Sequence, residues 1–546
     1  MQADVIVIGA GLAGLASAHE AVKRGRKVLI VDQEGPQSLG GQAFWSLGGL
    51  FMVNTPEQRR MGIRDSHALA TSDWMGSAQF DRAEDAMPRS WAEAYLEFAA
   101  GPMRAYLAEM GMRWFPVVGW AERGGSHADG HGNSVPRFHI TWGTGEGIIA
   151  PFVRLGREAE AAGTLQFAFR HKVTGLIQEG GRVTGVAGEV LANDDARRGA
   201  STNRDVIGAF TAQADSVIVT SGGIGGNHAK VRAQWPEDRL GKAPGHMVSG
   251  VPNYVDGLMH DIAKSAGAAA INEDRMWHYC EGVSNWDPIW PNHGIRILPG
   301  PSSMWFDAHG VRMEAPCLPG FDTLSTLRRI LQTGHAHSWF VLTQKIIEKE
   351  FALSGSEQNP DLTSGKWSAV LRERLGKGAT RAVEAFKTHG KDFVVADDLA
   401  TLVAGMNALT PETPLDFDRI KDQIAARDRQ LDNAFAKDAQ VTAIRQARAY
   451  RGDKLIRTAK PHAILDAKNG PLIAVRLNIL TRKSLGGLHT DLAGRVLGTD
   501  GAQIEGLYAA GEVAGFGGGG YHGYNALEGT FLGGCIFSGR AAGLSA

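Results

Sequence analysis

The sequence predicts an α/β fold: a doubly wound parallel sheet interrupted by an inserted, mostly helical α+β segment that caps it. Three observations predict it. Residues 4–31 read as strand, glycine turn, helix and strand. Between about Trp277 and Asp466 the texture changes, with Trp277, Trp286, Trp290 and Trp305 in a loop-rich stretch followed by helical spacing. Strand-and-glycine-turn patterning then returns towards the end of the chain.

Taken in order, residues 4–9 form a buried strand, 12–24 a helix and 27–31 a second buried strand, the βαβ opening of such a sheet. An apolar-spaced helix over 151–162 stops at Gly163. Short strands at 166–169, 173–178 and 183–189 suggest a small antiparallel insert, and 215–220 returns a buried strand. Phe417, Ile420, Ile424, Leu431 and Phe435 mark one face of a helix in the inserted region. The expected organisation is therefore 1–276 and 466–546 as two parts of one domain, with 277–465 as the cap. No internal repeat is visible.

With 546 residues, 43% of them hydrophobic, the chain is long enough to bury more than one core. Lys plus Arg total 57 against Asp plus Glu at 58, a net charge of -1. That balance gives no long-range attraction to nucleic acid or an anionic membrane, so a charged ligand has to be recognised locally. Cys280, Cys317 and Cys535 are far apart and make neither CxxC nor CxxCH, which speaks against a disulfide framework, a zinc site or an attached c-type haem. The first apolar run, 5–8, is a strand rather than a signal-peptide core, and no run reaches the roughly 18 apolar residues of a spanning helix. The expectation is a soluble, cytoplasmic protein without a metal.

Gly9-Ala10-Gly11-Leu12-Ala13-Gly14 is a GxGxxG turn between the first strand and its helix. The first glycine permits the turn, the second lets the backbone approach a pyrophosphate, and the third lets the helix pack closely. The helix N-terminus offers free N–H groups to the phosphates. Asp32, followed by Gln33 and Glu34, ends the next strand where a ribose hydroxyl needs an acceptor. The same fingerprint serves NAD and FAD.

Further segments decide between them by resemblance. Gly40-Gly41-Gln42 and Ser46-Leu47-Gly48-Gly49 resemble the flavin-wrapping segment of the fumarate reductase and 3-ketosteroid dehydrogenase superfamily. Ser221-Gly222-Gly223 resembles its ATGG turn, and the stretch from Gly506 through Gly511-Glu512 resembles its GLYAAGE strand. The last segment, from Tyr521 through Asn525, Ala526, Gly529, Thr530 and Phe531, resembles the helix start whose amides face the flavin pyrimidine oxygens. The resemblance implies a Rossmann-like FAD-binding domain, with Val173 also against the cofactor. No second GxGxxG marks a nicotinamide domain, and no histidine lies in 42–49 to attach flavin, so the FAD is expected to be non-covalent.

Members of this superfamily add or remove hydrogen across a carbon–carbon bond beside a carbonyl or carboxylate, with hydride at flavin N5 and an acid or base handling the α-proton. By position, His278 resembles a substrate-binding histidine, and Arg312 and Glu314 fall in an eroded GKRFVNE segment. The pattern His-Gly-Ala-Asn-Arg-Leu-Gly-Gly aligns to 522–529, where its carboxylate-clamping arginine becomes Ala526. A methyl cannot replace a guanidinium fork. The histidine of HTMGG becomes Lys483.

The implied reaction is 3-ketosteroid-dehydrogenase-like, on a small-molecule carbonyl substrate and with an unnamed electron acceptor. Tyr521 and Tyr524 are the candidate phenols; Arg328, Arg329, His335 and His337 stay open as proton-transfer groups. Two alternatives also stay open. One is reduction of an unsaturated carboxylate, with Arg482, Lys483 and Arg312 forming an anion site; the other is a structural FAD supporting a binding surface.

Overall fold

The computed structural model describes residues 1–125, 132–374 and 376–546. Strand Val5–Ile8, helix Leu12–Lys23 and strand Val28–Asp32 open the chain. Val5–Ile8 is aliphatic and buried at every position, the signature of a parallel strand covered on both faces. It is central in a six-stranded sheet of order Arg495–Leu497, Gln503–Ala509, Ser216–Val219, Val5–Ile8, Val28–Asp32, Leu165–Phe169. All neighbours are parallel except Arg495–Leu497, which runs antiparallel to Gln503–Ala509. Leu507, Tyr508 and Ala509 pair with Val217, Ile218 and Val219, which draws the C-terminal segment into the N-terminal sheet. Helix Thr530–Ser545 then packs on helix Leu12–Lys23, its small residues resting on the Ala13 and Ser17 carbonyls.

The strand expected at 166–169 belongs to this sheet rather than to the antiparallel insert: Leu165–Phe169 pairs in parallel with Val28–Asp32 as an edge strand. The insert consists of His171–Glu179, Arg182–Leu191 and a third strand, Val206–Gln213. That third strand is exposed along its first half, so it carries no buried face to read from sequence.

A second sheet of eight strands is built on Leu472–Ser484. His337–Thr343, Met276–Ser284 and Phe393–Ala396 pair with it antiparallel, and Val248–Ser249 in parallel. Alternate residues of the long strand enter two cores, Ile473, Val475, Leu477 and Ile479 on one face and Leu472 and Ala474 on the other. Helix is more abundant than strand among the described residues of 277–465, yet the centre of this region is a sheet. Its longest strand lies after residue 465, and Met276–Ser284 begins at the other expected boundary. The helical face read from Phe417 to Phe435 is shorter than its spacing suggests: helix Phe417–Arg429 buries Ile420 and Ile424, and Phe435 lies beyond it, 87% exposed. Among the described residues, no helix is long and apolar enough to cross a membrane.

Candidate functional site

Residues of both sheets line one cavity. On one side lies the glycine turn. Gly9 has φ +106, and a Cβ on Gly14 would lie 2.1 Å from the Gly9 carbonyl oxygen, so both positions demand glycine. Above Gly11 there is open space, with nothing within 4 Å of where a Cβ would be. Helix Leu12–Lys23 starts there without a side-chain cap, leaving Leu12 and Ala13 at the cavity wall to offer N–H groups to an anion. This open cradle at an uncapped helix start fits the diphosphate of FAD.

Asp32 and Gln33 line the same end. The Asp32 carboxylate accepts from Ala10 N at 2.7 Å and Glu34 N at 2.8 Å, and burial pushes it up to about 6. Glu34 is turned away, buried and bound to Arg204 and Thr202. Gly40 donates its N–H to Ala10 O, which sets Gly41 and Gln42 against Gly11 in the wall. Ser46, Gly48, Gly49, Val173, Ser221 and Gly222 continue that lining. Gly223 packs against Glu512 and Ser484, and Gly511 donates to Ser538 Oγ; both lie behind the wall.

Glu512 joins the two chain ends. Its carboxylate accepts from Ser484 N (2.9 Å), Gln42 Nε2 (3.1 Å) and Lys483 Nζ (3.4 Å). Lys483 also donates to Gln42 Oε1 at 2.6 Å, and burial holds its pKa below the ordinary lysine range. Gly529 and Phe531 line the wall at the start of the C-terminal helix. Asn525, Ala526 and Thr530 are buried beneath it, Thr530 Oγ1 bonding to His522 Nε2 at 2.8 Å.

The opposite end of the cavity is made of side chains from the second sheet, joined by Ser354 and by Glu528 of the C-terminal segment. Tyr279, Arg296, Leu298, Ser354, Arg482 and Glu528 line it. The Arg296 guanidinium lies 3.8 Å from the centre of the Tyr279 ring. It is surrounded by three buried carboxyls: Glu528 at 2.5 Å, Glu281 at 3.5 Å and Glu122 at 3.7 Å. Burial pushes Glu122 and Glu281 above the usual carboxylate range, against the pull of Arg296. Burial also raises the Tyr279 phenol, reinforced by Glu528, so it stays protonated. Trp277 Nε1 reaches Glu528 Oε1 at 3.4 Å from the same face of the strand as Tyr279.

Of the five residues expected to do chemistry, only Lys483 reaches this cavity; the other four are engaged elsewhere. His278 and Tyr279 are neighbours on Met276–Ser284, and successive side chains of a strand point to opposite faces. Tyr279 faces the cavity. His278 packs on Trp235 with ring centroids 4.8 Å apart, and burial lowers it to about 3. Arg312 is held by Asp438 at 2.5 and 3.0 Å and by Gln440 at 2.9 Å, and Glu314 pairs with Arg329. Tyr521 is fully buried among Trp74 and Tyr95, its hydroxyl donating to Thr530 O at 2.7 Å. Tyr524 donates to Asp81 at 2.9 Å and lies under Arg275. The groups that sequence reasoning missed, Tyr279, Arg296 and Glu528, left one usable signal: position 528 carries a carboxylate where the aligned pattern has glycine. Among the described residues no cluster of His, Cys, Asp and Glu could hold a metal ion.

Residues 4–532 match the FAD binding domain family. A KsdD-like steroid dehydrogenase of Mycobacterium tuberculosis is 60% identical over 546 residues, covering 100% of this chain and 96% of its own. One of Mycolicibacterium smegmatis is 59% identical over 530 residues, covering 97% and 96%. Among solved structures, 3-ketosteroid delta1-dehydrogenase from Sterolibacterium denitrificans, in complex with 1,4-androstadiene-3,17-dione, superposes with a TM-score of 0.65 at 18% identity, over 100% of this chain and 99% of that one. At that identity the likeness shows the fold alone. The uncapped glycine cradle and the match along the entire chain lead to one assignment: this chain belongs to the FAD binding domain family and, within it, to the KsdD-like steroid dehydrogenases.

Proposed function

We propose that this FAD-dependent CH–CH oxidoreductase acts on a 3-keto steroid, with Tyr279 and Glu528 as its working side chains. One observation carries the reading: the glycine cradle and the Tyr279 chamber are two ends of one cavity. FAD, when bound, supplies the hydride acceptor. The Tyr279 ring and Leu298 offer apolar surface to a fused-ring ligand, and the second sheet serves as the cap that excludes water from it. Tyr279, kept protonated by burial, donates a hydrogen bond to the substrate carbonyl oxygen and stabilises enolate charge as it develops. Glu528 takes the α-proton, with Arg296 fixing its carboxylate. Glu281 and Glu122 lie beside the other guanidinium nitrogens, at 3.5 and 3.7 Å.

The FAD is held non-covalently in this reading. Residues 42–49 contain no histidine, and burial pushes the wall cysteine Cys535 up to about 12, leaving a thiol rather than a nucleophilic thiolate. Acid precipitation then releases the yellow chromophore into the supernatant. The reaction is tested by mixing oxidised enzyme anaerobically with 5α- and 4-ene 3-keto steroids and following the flavin band. Bleaching by at least one, with a carbon–carbon double bond gained in the product, is the expected result. A flavin that no ketosteroid bleaches, but an unsaturated acid reoxidises after chemical reduction, overturns the reading in favour of a carboxylate reductase.

A further inference from the structure

Of the three cations that could form an anion site, two are committed: Arg312 to Asp438, and Lys483 to Gln42 and Glu512. Arg482 is not. It lines the cavity and, among the described residues, its guanidinium has no hydrogen-bond, ion-pair or ring partner. The backbone aims it there. Where Met276–Ser284 pairs with Leu472–Ser484, Trp277 faces Lys483 and His278 faces Thr481, so Arg482 is the extra residue of a β-bulge. Bulges commonly re-aim a side chain beside an active site. Gly250 makes room for its stem, since a Cβ there would come within 3.2 Å of Arg482 Cγ and Cδ.

The surroundings compensate its charge only in part. Glu357 is the carboxyl in its field, but burial pushes that group up to about 7, and Glu357 Oε2 has no hydrogen-bond partner. Tyr279, Lys483 and His293 also feel Arg482, the last a neutral ring stacked on Trp290 at 3.6 Å. An unpaired, half-buried guanidinium is costly unless a ligand supplies the counter-charge.

We propose that Arg482 binds a carboxylate carried by the substrate, so that the ligand is a keto acid of the steroid class rather than a neutral ketone. This rests on the steroid reading above and narrows it. The carbonyl lies at Tyr279 and the carboxylate at the bulge, and the acid group specifies the ligand without taking part in the hydrogen transfer.

The test compares acids with their own methyl esters: 3-oxo-4-androstene-17β-carboxylic acid, and a ring-cleaved steroid keto acid. For at least one pair, kcat/KM of the acid exceeds that of the ester by about 10- to 100-fold, the range of a hydrogen bond between charged partners. In Arg482→Met the ratio falls to about one, and Arg482→Lys keeps part of it. Equal rates for acid and ester in both pairs, or a preference that survives Arg482→Met, overturns the proposal. Loss of FAD from Arg482→Met with an unaltered acid-to-ester ratio also overturns it, assigning the cation to the cofactor diphosphate. If neither esters nor acids bleach the flavin, the steroid reaction has failed on its own. Tryptophan-fluorescence titration of the FAD-loaded protein then decides the anion site: tighter binding of acid than ester in the wild type but not in Arg482→Met supports it, and equal binding sinks it.

Discussion

At the cradle end of the cavity the ligand meets backbone: the turn at Gly9–Gly14, the amides opening helix Leu12–Lys23, and Gly41 beside Gly11. At the chamber end it meets side chains carried by strands, Tyr279 and Arg296 on the second sheet with Glu528 from the C-terminal segment. The two ends therefore fail differently. Adding a single carbon at Gly9 or Gly14 ruins the cradle, because neighbouring backbone leaves no space for it. The chamber accepts shape-preserving substitutions and loses only the proton or the charge that the substitution removes.

The largest effect is expected at the cradle. Gly14→Ala puts a Cβ against the Gly9 carbonyl, and the purified protein should carry less than about a tenth of the wild-type flavin absorbance. A fully yellow, folded Gly14→Ala breaks the contrast. In the chamber, Tyr279→Phe should keep its flavin and lower kcat by about 10²- to 10³-fold, the cost of one donor to developing oxyanion charge. Tyr521→Phe sharpens the comparison between phenols. It removes the bond to Thr530 O, should cost about 1 kcal/mol in thermal unfolding, and should leave kcat as it was. Glu528→Gln should lower the rate of flavin reduction by about 10²-fold with an unchanged flavin content, measured by stopped flow.

A pH effect separates the ends again. Burial moves Asp32 from 3.8 to about 6, so FAD-free folded protein keeps a proton that the unfolded chain has lost. Its stability should fall as pH rises from about 4 through about 6, and Asp32→Asn should remove that slope in thermal melts. The smallest effect belongs to Arg312. Arg312→Gln breaks a half-buried pair with Asp438, costing about 1–2 kcal/mol of stability, with KM unchanged in steady-state assays.

This contrast also explains what the sequence allowed to be read. The parallel sheet and its cradle were legible because glycine turns and uninterrupted apolar strands are local patterns, as in Val5–Ile8 and the turn after it. The chamber was not, because it depends on which face of a strand points inward. His278 matches a substrate-binding position, yet the pleat gives the cavity to Tyr279 and sends His278 to Trp235. Arg312 and Tyr521 carried suitable chemistry, but Asp438 and the Thr530 carbonyl, their partners in the structure, leave no mark on a linear motif. The second sheet was hidden for a related reason. The run from Leu472 to Ser484 mixes apolar residues with Arg476, Asn478, Thr481, Arg482 and Lys483 and keeps no single period, and the strands flanking it come from four distant stretches of chain.

The most direct test of the joined cavity is a crystal structure of the FAD complex with a bound 3-keto steroid. The carbonyl oxygen of the ligand should lie within about 3.2 Å of the Tyr279 hydroxyl, with the flavin extending from the Gly9–Gly14 turn. A steroid carbonyl bonded instead to Tyr521 or Tyr524, or a ligand lodged outside the Tyr279 chamber, would contradict it.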